Sequence, residues 1–106
     1  MRIWVDDMRP MSKEYDVHCR SVWETIRCIS EATARGEKIE LISLDHDAGA
    51  EYVYGGDYIQ ILYYLDWLRV EKRIEVCTNF HIHTANPVGV RNMRSIITSC
   101  GWKEVK

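Results

Sequence analysis

The stretch "NFHIHTANPVGVRNMRSIITSCGW", residues 79–102, decides the fold. "FHIHTA" reads as a strand. Asn86 follows as a helix N-cap, and Pro87 takes the first helical position, where a missing N–H costs nothing. Val90, Met93, Ile97 and Cys100 then recur at helical spacing as a buried stripe, and Gly101 supplies the end. Outward from this strand–helix unit the same pattern repeats. "IELISLDHD" is an apolar strand ending in acids, and "AGAEYVYGG" is a loop with paired glycines at residues 48–56, the expected mobile segment. "DYIQILYYLDWLRVEKR" is a helix with Asp57 as N-cap and Ile61, Leu65 and Leu68 on one face. Towards the N-terminus, "RIWVDD" is a buried strand ending in two carboxylates and broken by Arg9 and Pro10. "YDVHC" is a second extended piece. In "SVWETIRCISEATARG", Ser21 and Glu24 have the form of a capping box, Val22, Ile26, Ile29 and Thr33 repeat at helical spacing, and Gly36 closes the helix. "WKEVK" is a candidate last short strand. Strands alternating with helices imply an α/β fold with right-handed crossovers and a mainly parallel sheet.

The 106 residues fit a single domain, residues 1–106, and the 46% hydrophobic content supplies one core. A net charge of −2 with interspersed signs argues against generic duplex DNA binding, so a nucleic-acid partner would be held by a local site. Cys19, Cys28, Cys77 and Cys100 form no C-x-x-C pair and read as free thiols of a reducing, cytoplasmic protein without a signal peptide. No run approaches the roughly 18 apolar residues of a membrane span, so no membrane partner is expected. The oligomeric state is not legible.

In an open parallel sheet, ligands bind beyond the carboxyl ends of the strands. Three strands deliver polar residues to that edge: Asp6 and Asp7; Asp45, His46 and Asp47; and His83 and Thr84. Acids crowded there suit a hard divalent cation such as magnesium, with Asp6, Asp7 and Asp45 as its ligands. The competing reading is that these are turn and cap residues, since Asp is favoured where strands enter loops. His46 and His83 can serve as general base and general acid, in either order, or can hold a transition metal. His81 lies two residues before His83 on the same strand face and reads either as a substrate contact or as support. Amides around Val88 and Gly89, just after Asn86, form a helix N-terminus suited to an anion, and Gly89 permits close approach. Arg9 adds a fork-shaped phosphate contact. Tyr52 and Tyr54 are candidates to stack on a base.

"WVDDMRP", "SLDHDAG", "GGDYI" and "HIHTANPVG" resemble the signatures of the cyclic-phosphate-processing receiver-like domains over nearly the whole chain, from Ile3 to about Ile97. The resemblance implies a receiver-like (flavodoxin-like) three-layer α/β sandwich with about four to five strands. It implies a phosphoesterase acting on a cyclic phosphate, such as the 2′,3′-cyclic phosphate of RNA or a nucleotide, so the partner is a small phosphate ester or an RNA end. By the same resemblance Asp45 matches the receiver phosphoacceptor position and Thr84 the switch hydroxyl. Catalysis then falls to His46, His83 and Asp45. Substrate contacts fall to Arg9, His81, Thr84, Asn86 and Gly89. No Lys-Pro follows the last strand, which sets the chain apart from conventional phosphorelay receivers. The alternative is a non-catalytic module that binds a phospho-ligand or a partner protein.

Overall fold

The computed structural model describes residues 1–47 and 57–106. The expected loop at 48–56, with Tyr52 and Tyr54, lies outside the described residues. The elements run β1 (Arg2–Val5), β2 (Val17–Cys19), α1 (Val22–Ala34), β3 (Leu41–Leu44), α2 (Ile59–Trp67), β4 (Asn79–Ile82), α3 (Pro87–Ser99) and β5 (Lys103–Glu104). The five strands form one sheet in the order β2-β1-β3-β4-β5, and every neighbouring pair is parallel. This is the flavodoxin-like order, with its topological switch point between β1 and β3.

Local chemistry accounts for most element ends. The Ser21 hydroxyl accepts from the Glu24 amide at 3.1 Å, and Gly36 follows α1 with φ of 72°. The Asn86 side chain accepts from the amides of Val88 and Gly89, with Pro87 in the first turn, and Gly101 leaves α3 with φ of 75°. The second helix differs from expectation at both ends. It begins at Ile59 with Tyr58 in the cap position and no side-chain cap bond, so Asp57 lies one residue before the cap. It then widens into a π-helical turn over Leu68–Lys72, closed by Arg73 in the left-handed region at φ of 56°.

Strand alternation divides the sheet into two unlike faces. Ile3, Val5, Ile42, Leu44 and Phe80 point to one side and join Ile29, Ile61, Leu62, Met93 and Ile97 in the core. The crossovers from β2 to β3, β3 to β4 and β4 to β5 all advance in one direction. Right-handedness therefore puts all three helices on this side. Only the β1–β2 connection runs the other way. It lies over the second face as residues 6–16, where Pro10 and the scarcity of apolar residues preclude an amphipathic helix. A loop thus forms the outer layer there. That second face carries Trp4, Ser43 and His81, and Tyr15 from the loop meets the Trp4 ring edge-on at 5.2 Å. The four cysteines are free. Among the described residues no helix is long and apolar enough to cross a membrane.

Candidate active site

The candidate residues stand immediately beyond the strand ends, and the sheet ladder fixes their height. The Asp6 amide donates to the Cys19 carbonyl, the Asp45 amide to the Val5 carbonyl, and the His83 amide to the Leu44 carbonyl, each at 3.0 Å. Side chains from β1, β3 and β4 therefore meet at one level of the carboxyl edge, at the switch point. Asp6, Asp7 and Asp45 each offer one oxygen such that the three lie within 4.8 Å of one another. Three converging carboxylates suit a hard divalent cation, so the donor set fits the magnesium expected from the sequence. Tyr58, fully buried, braces this group: its hydroxyl donates to the Arg20 carbonyl at 2.8 Å and faces Asp7 at 3.4 Å. Burial, followed by the nearby carboxylates, pushes the Tyr58 pKa up.

Asp6 is wholly buried, as is Ser43. Burial alone would raise the Asp6 pKa. Opposing it, the amides of Arg9 (2.9 Å) and Met8 (2.8 Å) donate to Oδ1 and His83 donates to Oδ2, and together they hold the carboxyl below its ordinary range. His83 Nε2 lies 2.9 Å from Asp6 Oδ2, and its other nitrogen, Nδ1, lies 2.7 Å from the Ser43 hydroxyl. Its ring stacks on Trp4 with centroids 4.0 Å apart and planes 8° apart. Burial lowers its pKa, against the pull of Asp6.

The protons in this chain can be placed by valence. An ionised Asp6 only accepts, so His83 carries its hydrogen on Nε2. A neutral His83 then accepts at Nδ1 from Ser43. The Ser43 hydroxyl has spent its one proton, so His81 Nδ1, 2.9 Å away, donates to it. In its neutral form His81 is left with a lone pair on Nε2, which has no partner among the described residues.

His83, expected from the sequence as a general acid or base, has a side chain that is 7% exposed, with one nitrogen at Asp6 and the other at Ser43. His46 is half-buried, with its side chain 13% exposed; its Nδ1 lies 2.8 Å from Asp47 Oδ1, and its Nε2 has no hydrogen-bond partner among the described residues. Asn86 Nδ2 donates to the same Asp47 oxygen at 3.2 Å. Hydrogen bonding to His46, outweighing a smaller effect of burial, holds the Asp47 pKa low.

The helix N-terminus is also arranged differently from expectation. The Val88 and Gly89 amides, expected to be open for an anion, are both taken by Asn86 Oδ1 at 3.1 Å. Gly89 instead makes room for His46. A Cβ at this position would stand 2.4 Å from His46 Cγ and 2.7 Å from its Cβ. Arg9 spends one guanidinium nitrogen on the His83 carbonyl, tying the β1 loop to the β4 tip. Thr84 accepts from the Asn86 amide at 3.2 Å, and its own hydroxyl proton has no acceptor among the described residues.

Sequence reasoning missed Ser43, Asp47 as the anchor of His46, Tyr58 as a brace, and His18, whose Nε2 lies 2.7 Å from the Asp6 carbonyl oxygen. Ser43 is the one hydroxyl inside "LISL", but only the register of β3 against β4 sets it opposite His81.

A family model described as the cyclic-phosphate processing receiver domain matches residues 1–99. No curated protein and no solved structure gives a match.

Proposed function

We propose that the chain, which belongs to the cyclic-phosphate processing receiver domains, is a phosphoesterase that opens a 2′,3′-cyclic phosphate of a nucleotide or RNA end. The observation that carries this reading is the convergence of Asp6, Asp7 and Asp45 within 4.8 Å at the switch point. Phosphate is repelled by bare carboxylates, so such a cluster beside a phosphate site calls for a cation. Asp6, Asp7 and Asp45 would hold it. When bound it supplies positive charge to the phosphoryl oxygens.

His46 is the general base. Asp47 fixes its tautomer through Nδ1, so Nε2 faces the reaction as an acceptor. It takes a proton from water as the water oxygen bonds to phosphorus. One phosphorus–oxygen bond to the ribose breaks, and the departing oxygen gains a proton from water at the open edge. The product is a phosphomonoester. The Thr84 hydroxyl and the free nitrogens of Arg9 donate to the phosphoryl oxygens. Asn86 holds Asp47, and Gly89 leaves space for the His46 ring. His83 contributes by keeping Asp6 ionised and oriented.

The test is hydrolysis of 2′,3′-cyclic AMP in magnesium, followed by phosphorus NMR. The wild type should form a monoester, and His46→Gln and Asp45→Asn should not. An inert wild type that is nonetheless stabilised by the cyclic nucleotide would favour the non-catalytic module. Phosphodonor labelling lost in Asp45→Asn would favour aspartyl-phosphate chemistry at Asp45.

A further inference from the structure

The face of the sheet without helices carries a cleft of about 460 Å³, inside the usual range for small-molecule sites. Its walls combine three kinds of chemistry. Trp4 and Tyr15 meet at 64° and form an aromatic corner, continued by Leu41 and Val105. Arg2 and Lys106 bring positive charge to the rim, each in an exposed ion pair (with Glu40 at 3.6 Å and Glu104 at 3.7 Å) that a phosphate would have to displace, and Glu14, which accepts from the Ser12 hydroxyl, brings a carboxylate. His81 stands in the wall with Nδ1 committed to Ser43 and Nε2 without a partner among the described residues.

An apolar corner alone would accept any greasy group. The polar complement narrows the choice. A flat heteroaromatic ring fits the Trp4–Tyr15 corner and can donate to an imidazole lone pair. A vicinal diol suits a carboxylate acceptor, and an anion suits Arg2 and Lys106. One ligand class carries all three groups at once: a nucleoside phosphate. The cleft also shares its face with the carboxylate site. Trp4, in its wall, stacks directly on His83, which donates to Asp6.

We propose that this cleft binds a nucleoside phosphate through an aromatic corner of Trp4 and Tyr15, His81 Nε2, and the cations Arg2 and Lys106. The inference goes beyond the phosphoesterase reading, which already names a nucleotide: it assigns a second binding place, with the phosphate near Arg2 at the amino-terminal end of β1 and away from the carboxylates, and it concerns binding rather than turnover.

The experiment titrates adenosine 5′-monophosphate, which cannot be ring-opened, into the protein in chelator, with calorimetry and amide NMR as readouts. Without metal the carboxylate cluster takes no part, so a failure here is distinct from a failure of hydrolysis. Saturable binding is expected, with shifts at residues 2, 4, 15, 41, 81 and 105. Tyr15→Ala should weaken it roughly tenfold through lost stacking. Adenosine and inorganic phosphate should each bind more weakly than the nucleotide. Lys106→Ala, at a position 80% exposed, cannot unfold the protein and should also weaken binding. A short oligoadenylate run in parallel separates a free nucleotide from an RNA end: tighter binding of the oligomer assigns the cleft to a chain end, and equal or weaker binding assigns it to the mononucleotide. Absence of saturable binding overturns the proposal. So does affinity unchanged in both variants, or shifts confined to residues 45–47 and 83–89.

Discussion

His83 Nε2 stands 2.9 Å from Asp6 Oδ2, with the aspartate out of solvent altogether and the imidazole almost so. The contact joins the tips of β4 and β1 across β3. Removing the imidazole leaves a buried carboxylate short of a donor and empties the space stacked on Trp4. His83→Ala should therefore destabilise the protein by about 3 kcal/mol or more. Chemical denaturation measures this, and a loss below about 1 kcal/mol would mean that the pair does not form in solution.

The same two residues set an acid dependence. Both have folded-state pKa values below their ordinary ones. For Asp6 the stability is present above the unfolded value of about 3.9 and is lost as pH falls through the lower folded value. For His83 burial favours the neutral ring, so its contribution is complete above about pH 6.5 and is lost below that. In chelator, wild-type stability should fall as pH drops from 7 towards 5, then fall again in stronger acid. His83→Ala should flatten the upper stage. A wild type that gains stability between pH 7 and 5 would contradict the assignment.

Much of this was legible in the sequence, because it rests on local rules. Asn86, Pro87 and Gly101 delimit a helix by capping alone, and Ser21 starts another. Apolar runs ending in acids placed Asp6, Asp7 and Asp45 at one edge of a parallel sheet. What stayed hidden depends on pairing between strands. Ser43 matters because register sets it opposite His81, and no property of "LISL" fixes register. His83 is buried because Trp4, on the second strand away, lies flat on its ring. The pairing of the Val88 and Gly89 amides with Asn86 follows from a cap that the sequence did predict, and it removes the anion site expected there. The short apolar supply of residues 6–16 could have signalled that no helix covers that face.

Gly89→Ala separates the claims of helix propensity and packing. Alanine in a helix gains about 1 kcal/mol over glycine. A Cβ 2.4 Å from His46 Cγ cannot be accommodated without moving the ring or the helix, at about 1–3 kcal/mol. Packing should win, and the displaced imidazole should forfeit a good part of general-base catalysis, which is typically worth roughly 10²–10⁴ in rate. We expect turnover of the cyclic nucleotide to fall at least about tenfold with little gain in stability. Full activity together with raised stability would show that His46 has room to spare.

Asp45→Asn should change sign with magnesium. Without metal, Asp6, Asp7 and Asp45 repel one another within 4.8 Å, so neutralising one should leave stability unchanged or raise it. With magnesium at a hundredfold excess over its dissociation constant, mass action stabilises the wild type by about 2.7 kcal/mol. The variant replaces one of the three anionic oxygens with a neutral amide oxygen and should lose much of that gain, so the stability curves of the two proteins should cross as magnesium is added. Thermal unfolding across a magnesium titration reads the crossing directly. An equal response in both proteins would place the cation elsewhere and leave the three carboxylates without the partner their proximity demands.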